Sequence, residues 1–175
     1  DAGLVTYMYD TAGNMIRKAT PGMRAEGRCV VYRYDYNRLA RADYPNMNDV
    51  FYAYGAAGAS ANRAGRLVSV DNGTVKEEYS YGRLGETIRV DRTVAATANS
   101  PAATYRSEYE YDNLGRMKRL VFPDKETLAY QYDRGGLVES ARGLYAGAAI
   151  DYVKDIAYDE FGQRKRVAYG NGATT

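Results

Sequence analysis

The chain has 175 residues, enough for one domain with a core of its own and short for two. Its 24 Lys and Arg are interspersed with 22 Asp and Glu for a net charge of +2, so neither a basic field that would draw nucleic acid nor an acidic tail forms. There is no histidine, a single cysteine, and no stretch near the ~20 apolar residues of a membrane helix, which removes the usual general base, the commonest metal ligand, an internal disulfide and a helical membrane span.

Nineteen tyrosines stand against three phenylalanines and no tryptophan. Tyrosine favours strands, and each ring brings a hydroxyl that must reach water or a partner.

From the N-terminal end, the first element is Tyr7-Met8-Tyr9-Asp10-Thr11-Ala12-Gly13, continued by Asn14-Met15-Ile16. Residues two apart in a strand share a face, so Tyr7 and Tyr9 put two rings on one surface while Met8 faces the other way. Asp10 is placed to accept a backbone N–H two residues on, and Gly13 to take the positive φ that closes a short hairpin loop. Pro21-Gly22 marks a turn before the second unit, Tyr32-Arg33-Tyr34-Asp35. Arg38 stands there where the loop wants glycine, and a shortened turn with Asn37 left-handed is expected.

The third unit is Tyr52-Ala53-Tyr54-Gly55, and the fourth is Tyr79-Ser80-Tyr81-Gly82 followed by Gly85. Both replace the aspartate with glycine and forgo its turn hydrogen bond. Between them Gly55 to Ala64 reads as a surface loop and Asn72-Gly73 as a two-residue hairpin turn. After a second loop, Ala95 to Ala103, the pattern returns as Tyr109-Glu110-Tyr111-Asp112-Asn113-Leu114-Gly115, as Tyr130-Gln131-Tyr132-Asp133 followed by Gly136, and as Tyr158-Asp159-Glu160-Phe161-Gly162. Pro123-Asp124 and Asn171-Gly172 mark further turns. The second tyrosines, at 9, 34, 54, 81, 111, 132 and 158, lie 25, 20, 27, 30, 21 and 26 residues apart. So loose a period fits fixed hairpins joined by variable loops. The expectation is an all-β fold of a dozen or more short antiparallel strands, in a sheet large enough that it must twist, curl or close rather than stay flat.

Chemistry-bearing residues are few. Asp151 and Asp155, and Glu77-Glu78, lie close in sequence, but their neighbours Lys76 and Lys154 and the lack of metal-loop spacing favour ordinary charged surface over an acid–base or cation site. Tyrosines beside Arg17, Arg33, Arg119 or Arg166 are a candidate platform for stacking sugars or bases. The repeat requires those same rings as cross-strand ladders, which favours the structural reading. Cys29 reads as a small buried or half-buried hydrophobe. No catalytic residue, metal or cofactor is expected, and the chain reads as a non-enzyme.

The pattern Tyr-x-Tyr-Asp-x-x-Gly-(Arg/Asn/Gln), clearest from Tyr7 and from Tyr109 and present in looser form in the other five of seven copies between Tyr7 and Gly172, resembles the YD repeat of the Rhs family. That family includes bacterial polymorphic toxins, shell-forming components of insecticidal Tc toxin complexes, and animal teneurins. Asn62-Arg63-Ala64-Gly65-Arg66-Leu67-Val68, Tyr44-Pro45 before Val50-Phe51-Tyr52, and Gly162-Gln163-Arg164 with Tyr169-Gly170-Asn171-Gly172 are similar to phrases of the bacterial members. The resemblance implies a ribbon of strands spiralling into a hollow shell that encloses a C-terminal toxic polypeptide, in a secreted or cell-surface bacterial protein. Its implied partners are the remainder of the shell and the enclosed toxin. The self-cutting segment of proteolytic members, with its catalytic aspartates, is not found here.

The alternative is an extracellular module that binds a glycan or a cell-surface partner through a tyrosine-rich face. The chain opens at Asp1 rather than methionine and stops after Ala173-Thr174-Thr175, so it reads as a single domain over 1–175 cut from a longer array. Its edge strands are expected to invite self-association.

Overall fold

The computed structural model describes residues 3–175; residues 1 and 2, at the start of the expected domain, lie outside the described residues. Its elements in chain order are β1 (Thr6–Tyr9), β2 (Met15–Ala19), α1 (Pro21–Ala25), β3 (Val30–Asp35), β4 (Arg38–Asp43), β5 (Val50–Tyr54), β6 (Leu67–Asp71) and β7 (Val75–Tyr81). They continue as β8 (Thr87–Val94), β9 (Ala103–Tyr111), β10 (Met117–Val121), β11 (Thr127–Tyr132), β12 (Val138–Tyr145), β13 (Ala148–Tyr158) and β14 (Arg164–Tyr169). The fourteen strands are hydrogen-bonded neighbours in the order of the chain, antiparallel throughout, in one open sheet. The all-β expectation is borne out. By contacts the described residues group into two compact units, one running to Tyr81 and including Asp91–Thr104, the other made of Gly82–Val90 and Tyr105–Thr175.

Every tyrosine pair sits toward the C-terminal end of an odd-numbered strand, and outside the second repeat the turn that follows uses one frame. In the first repeat Asp10 N–H donates to Asn14 O (2.9 Å) and Gly13 N–H to Asp10 O (3.1 Å). The Asp10 carboxylate then accepts both Ala12 N–H (2.9 Å) and Asn14 N–H (2.8 Å). Asp112 and Asp159 each take the same two backbone donors, and Asp133 takes Leu137 N–H. Hydrogen bonds to the charged form hold the Asp10 and Asp112 carboxyls below their ordinary range, the side chains of Asn14 and Arg116 acting most strongly. Gly13, Gly85, Gly115, Gly136 and Gly162 all close the frame at φ between 76° and 93°, a region open to glycine and costly for a residue with a Cβ.

The second repeat leaves that frame, and the third and fourth keep its backbone bonds with a change, each for a visible reason. In the second repeat Tyr36 (φ 46°) and Asn37 (φ 62°) form a two-residue turn, and Asp35 faces Arg38 across the hairpin, their side chains 3.3 Å apart. Asp35 therefore ends a strand and forms an ion pair, where sequence had placed it as a turn former. In the fourth repeat the carboxylate comes from the far side of the turn: Glu86 accepts Leu84 N–H (2.9 Å) and fills the space where a side chain at position 82 would collide with it. The third repeat holds an insertion inside an intact frame. Gly55 N–H donates to Arg66 O (2.9 Å) and Gly65 N–H to Gly55 O (2.8 Å), so Gly65 and Arg66 take the closing positions and residues 56–64 loop out.

Two local expectations also change. Pro21-Gly22 opens a single helical turn, capped by Thr20, whose Oγ1 accepts Met23 N–H (3.4 Å). The Asn72-Gly73 connection has three residues, because Asn72 Oδ1 accepts both Thr74 N–H (3.0 Å) and Val75 N–H (2.8 Å).

The sheet has a thin core. Val30, Ala42, Ala141 and Val167 are its buried hydrophobic residues among those described, and no large side chain is fully buried. A Cβ on Gly115 would meet nothing within 4 Å, so substitution there costs conformation alone. Gly115→Val is expected to lower stability by about 1–2 kcal/mol, and Gly115→Asn by less, in chemical denaturation followed by circular dichroism.

Candidate functional site

The residues that recur are also the residues that join one repeat to the next. In every hairpin led by a tyrosine pair and resolved in register, the return strand carries one extra residue opposite the end of that pair. Tyr9 faces Met15 while Met8 faces Arg17, and Tyr34 faces Leu39 while Arg33 faces Arg41. Tyr54 faces Leu67 while Ala53 faces Ser69, and the steps recur at Tyr111 with Met117, Tyr132 with Val138 and Tyr158 with Arg164. Such a bulge leaves a residue unpaired and disrupts the ladder locally.

The backbone carbonyl beside that bulge receives a phenol from the next repeat. Tyr34 donates its hydroxyl to Met15 O (3.0 Å), Tyr54 to Leu39 O (3.0 Å) and Tyr81 to Leu67 O (2.7 Å) in the first unit. In the second unit Tyr132 donates to Met117 O (2.7 Å) and Tyr158 to Val138 O (2.8 Å). Each acceptor is the residue that faces the preceding repeat's second tyrosine. Bulge and phenol thus form a latch reaching back one hairpin.

An arginine covers several of these rings. It occupies the position just before the accepting carbonyl: Arg38 lies 4.7 Å from the Tyr54 centroid, Arg66 5.6 Å from Tyr81 and Arg116 4.3 Å from Tyr132. Arg116 also donates to Asp112 (Nε to Oδ2, 2.7 Å), so aspartate, arginine and the following tyrosine form one chain of contacts across two repeats. This explains the Arg that follows glycine in the motif.

The two faces of the sheet differ. On one, Tyr32 is opposite Ala42, which is opposite Val50, and Tyr52 is opposite Val70. In the second unit Tyr109 is opposite Leu120 and Leu120 opposite Leu128, while Tyr130 is opposite Ala141. Burial raises the phenols of Tyr32, Tyr52, Tyr81, Tyr111 and Tyr132 above their ordinary range. Tyr79 rises furthest, by burial first and then by donating to Glu77 (2.6 Å), which Arg92 also holds (2.7 Å). On the other face, cross-strand ion pairs form: Arg33 with Asp43 (2.8 Å), Arg119 with Glu110 (3.0 Å), Arg142 with Asp151 (2.7 Å) and Arg166 with Asp155 (2.5 Å).

The sequence-predicted residues fall into place on this plan. Tyr7 and Tyr9 on β1 are exposed, and the other paired tyrosines are half-buried. The platform considered for Arg17, Arg33, Arg119 and Arg166 does not assemble. Arg17 is opposite Met8, Arg33 opposite Arg41, Arg119 opposite Glu110 and Arg166 opposite Ala157, all on the face turned away from the paired rings. Asp151 and Asp155 are held by Arg142 and Arg166, and Glu78 lies 3.2 Å from Lys76. No group of three metal-ligating side chains occurs among the described residues. Cys29 is half-buried and free. No helix of the described residues is long and apolar enough to cross a membrane.

Comparisons with known proteins agree with this geometry. No family model matches the chain. Double-stranded DNA deaminase toxin A of Burkholderia cenocepacia strain H111 is 26% identical over 196 residues, covering 99% of this chain and 13% of the relative. A crystal structure of TcdB2-TccC3 superposes with a TM-score of 0.80 at 17% identity, covering 100% of this chain and 10% of that one. A crystal structure of TcdB2-TccC3-Cdc42 gives 0.80, 17%, 100% and 9%. A Photorhabdus luminescens Tc holotoxin pore with a substitution in TccC3 gives 0.79, 17%, 98% and 9%. The chain therefore spans about one-eighth of the curated relative and one-tenth or less of the solved chains. The resemblance to Rhs/YD-repeat proteins, read first from the tyrosine pairs, is borne out in the fold.

Two outcomes test the latch. Tyr34→Phe and Tyr132→Phe are each expected to cost about 0.5–1.5 kcal/mol, whereas Tyr36→Phe, at a ring 91% exposed, leaves stability unchanged. The raised phenols of Tyr81 and Tyr132 mean that the folded chain keeps protons which the unfolded chain releases near pH 10. Their contribution is complete below that pH and is lost as pH rises through the folded values. The melting temperature is thus expected to fall on the alkaline side, less steeply in a Tyr81→Phe/Tyr132→Phe variant.

Proposed function

We propose that this chain is a non-catalytic stretch of wall in a secreted YD-repeat shell, and that the shell encloses a C-terminal toxic polypeptide. The observation that carries the reading is the latch. Among seven copies of one hairpin, five second tyrosines reach back to a backbone carbonyl of the preceding repeat, and a wall requires such repeat-to-repeat fixing. Two further features support it. A single sheet with so few buried side chains lacks the second layer that closes an ordinary domain, so its faces and edges call for more of the same array. The similarity to a toxin and to Tc toxin structures, over almost the whole of this chain and a small part of each of those proteins, fits one segment among many.

On this reading the carboxylates serve as turn formers and ion-pair partners, and the chemistry belongs to the enclosed polypeptide. In the parent protein, the C-terminal polypeptide is expected to resist protease. Replacing Tyr34, Tyr54, Tyr81, Tyr132 and Tyr158 together by phenylalanine is expected to expose it to cleavage. Protection that survives deletion of residues 3–175 would refute the proposal.

A further inference from the structure

All turns that lead from an odd to an even strand lie along one rim of the sheet. In the second unit four such turns follow one another, at 82–86, 112–116, 133–137 and 159–163. Strand spacing sets them about 10 Å apart. The third residue of each is Leu84, Leu114, Gly135 and Phe161. Leu84 is 85% exposed, Leu114 77% and Phe161 81%, among the most exposed large apolar side chains of the protein. They are not loosely held. Leu84 N–H is bound by the Glu86 carboxylate, Leu114 N–H by Asp112 and Phe161 N–H by Asp159, each at 2.9 Å. The turn frame therefore presents an apolar tip to solvent on a rigid mount, and a groove of about 570 Å³ lies between the first two tips.

The second residue of each turn is Arg83, Asn113, Arg134 and Glu160. All four are exposed, and none makes a hydrogen bond or ion pair among the described residues. Read against its own reverse, this row is complementary. Arg83 comes opposite Glu160 and Arg134 opposite Asn113, while Leu84 meets Phe161 and Leu114 meets Gly135, where the missing side chain leaves room for it. A parallel alignment in register would instead set like charges against each other. We propose that this rim is an interaction surface whose occupant is the same rim of a second copy of the chain, related by a two-fold axis. The inference stands on the rim alone and does not rest on the wall reading.

Four turns make a contact smaller than the roughly 1,200 Å² at which stable interfaces begin, so the association is weak and is read at high protein concentration. Sedimentation velocity over a concentration series is expected to show a reversible dimer. Arg83→Glu and Glu160→Arg are each expected to weaken it by roughly fivefold to tenfold, since the two-fold axis repeats each exposed pair. The double variant Arg83→Glu/Glu160→Arg restores it, and Leu114→Lys abolishes it, with circular dichroism spectra unchanged. A chain that stays monomeric throughout overturns the proposal. So does a dimer indifferent to the single exchanges, as an edge-strand dimer would be, or a double exchange weaker than either single one.

Discussion

The hydrogen bond from a tyrosine hydroxyl to a backbone carbonyl one hairpin earlier is the contact on which the rest of the structure depends. A regular antiparallel ladder uses its carbonyls between neighbouring strands and leaves nothing to say where the next hairpin should stop. The extra residue opposite Tyr9, Tyr34, Tyr54, Tyr111, Tyr132 and Tyr158 changes that by interrupting the ladder at one fixed place in each of those hairpins. The phenol that reaches this place fixes register, because a slip by one residue would turn the ring to the opposite face. Phenylalanine would fill the same volume without making the bond. The restriction of the second position to tyrosine, in a chain with three phenylalanines, follows from that difference.

Around this contact the turn chemistry varies more freely. What the frame needs is a carboxylate for an otherwise unpaired N–H and a residue able to take positive φ, and it accepts either from more than one source. Glu86 supplies the carboxylate when position 82 is glycine, and the Phe122 to Glu126 turn closes through Lys125 at φ 75°. The nine-residue insertion after Gly55 is accommodated without disturbing Leu67, whose carbonyl still receives Tyr81. The inserted loop is also tied to β7, Ala61 O accepting Tyr81 N–H (3.1 Å) and the Arg63 side chain donating from Nε to Tyr79 O (2.7 Å).

A sheet built this way is held laterally, repeat to repeat, more than by a packed interior. Its largest buried hydrophobic residues are valines, and both faces stay partly open, one lined by tyrosine and aliphatic side chains and the other by cross-strand ion pairs. Exposed ion pairs contribute little each. Stability in such an array is the sum of nearest-neighbour terms, and length comes without a larger core. That arithmetic suits an extended array and explains how a chain of this length can hold the same fold as a small part of much longer ones.

The sequence by itself determined the strands, their order and most of the turns. Tyr-x-Tyr alternation, the aspartate-to-glycine spacing and Asn37 as a left-handed residue are local signals, read from φ preferences and side-chain periods over a few residues. Tertiary structure decided what those residues do across repeats. That Glu86 replaces an aspartate, that Gly65 closes a turn begun at Gly55, that the arginines beside the rings are Arg38, Arg66 and Arg116 while Arg17 and Arg33 face away, and that each phenol finds a carbonyl fourteen to twenty residues earlier all depend on which strands lie side by side. No local pattern carries that information, because a bulge shifts register by one residue, and its position is set only when two strands pair.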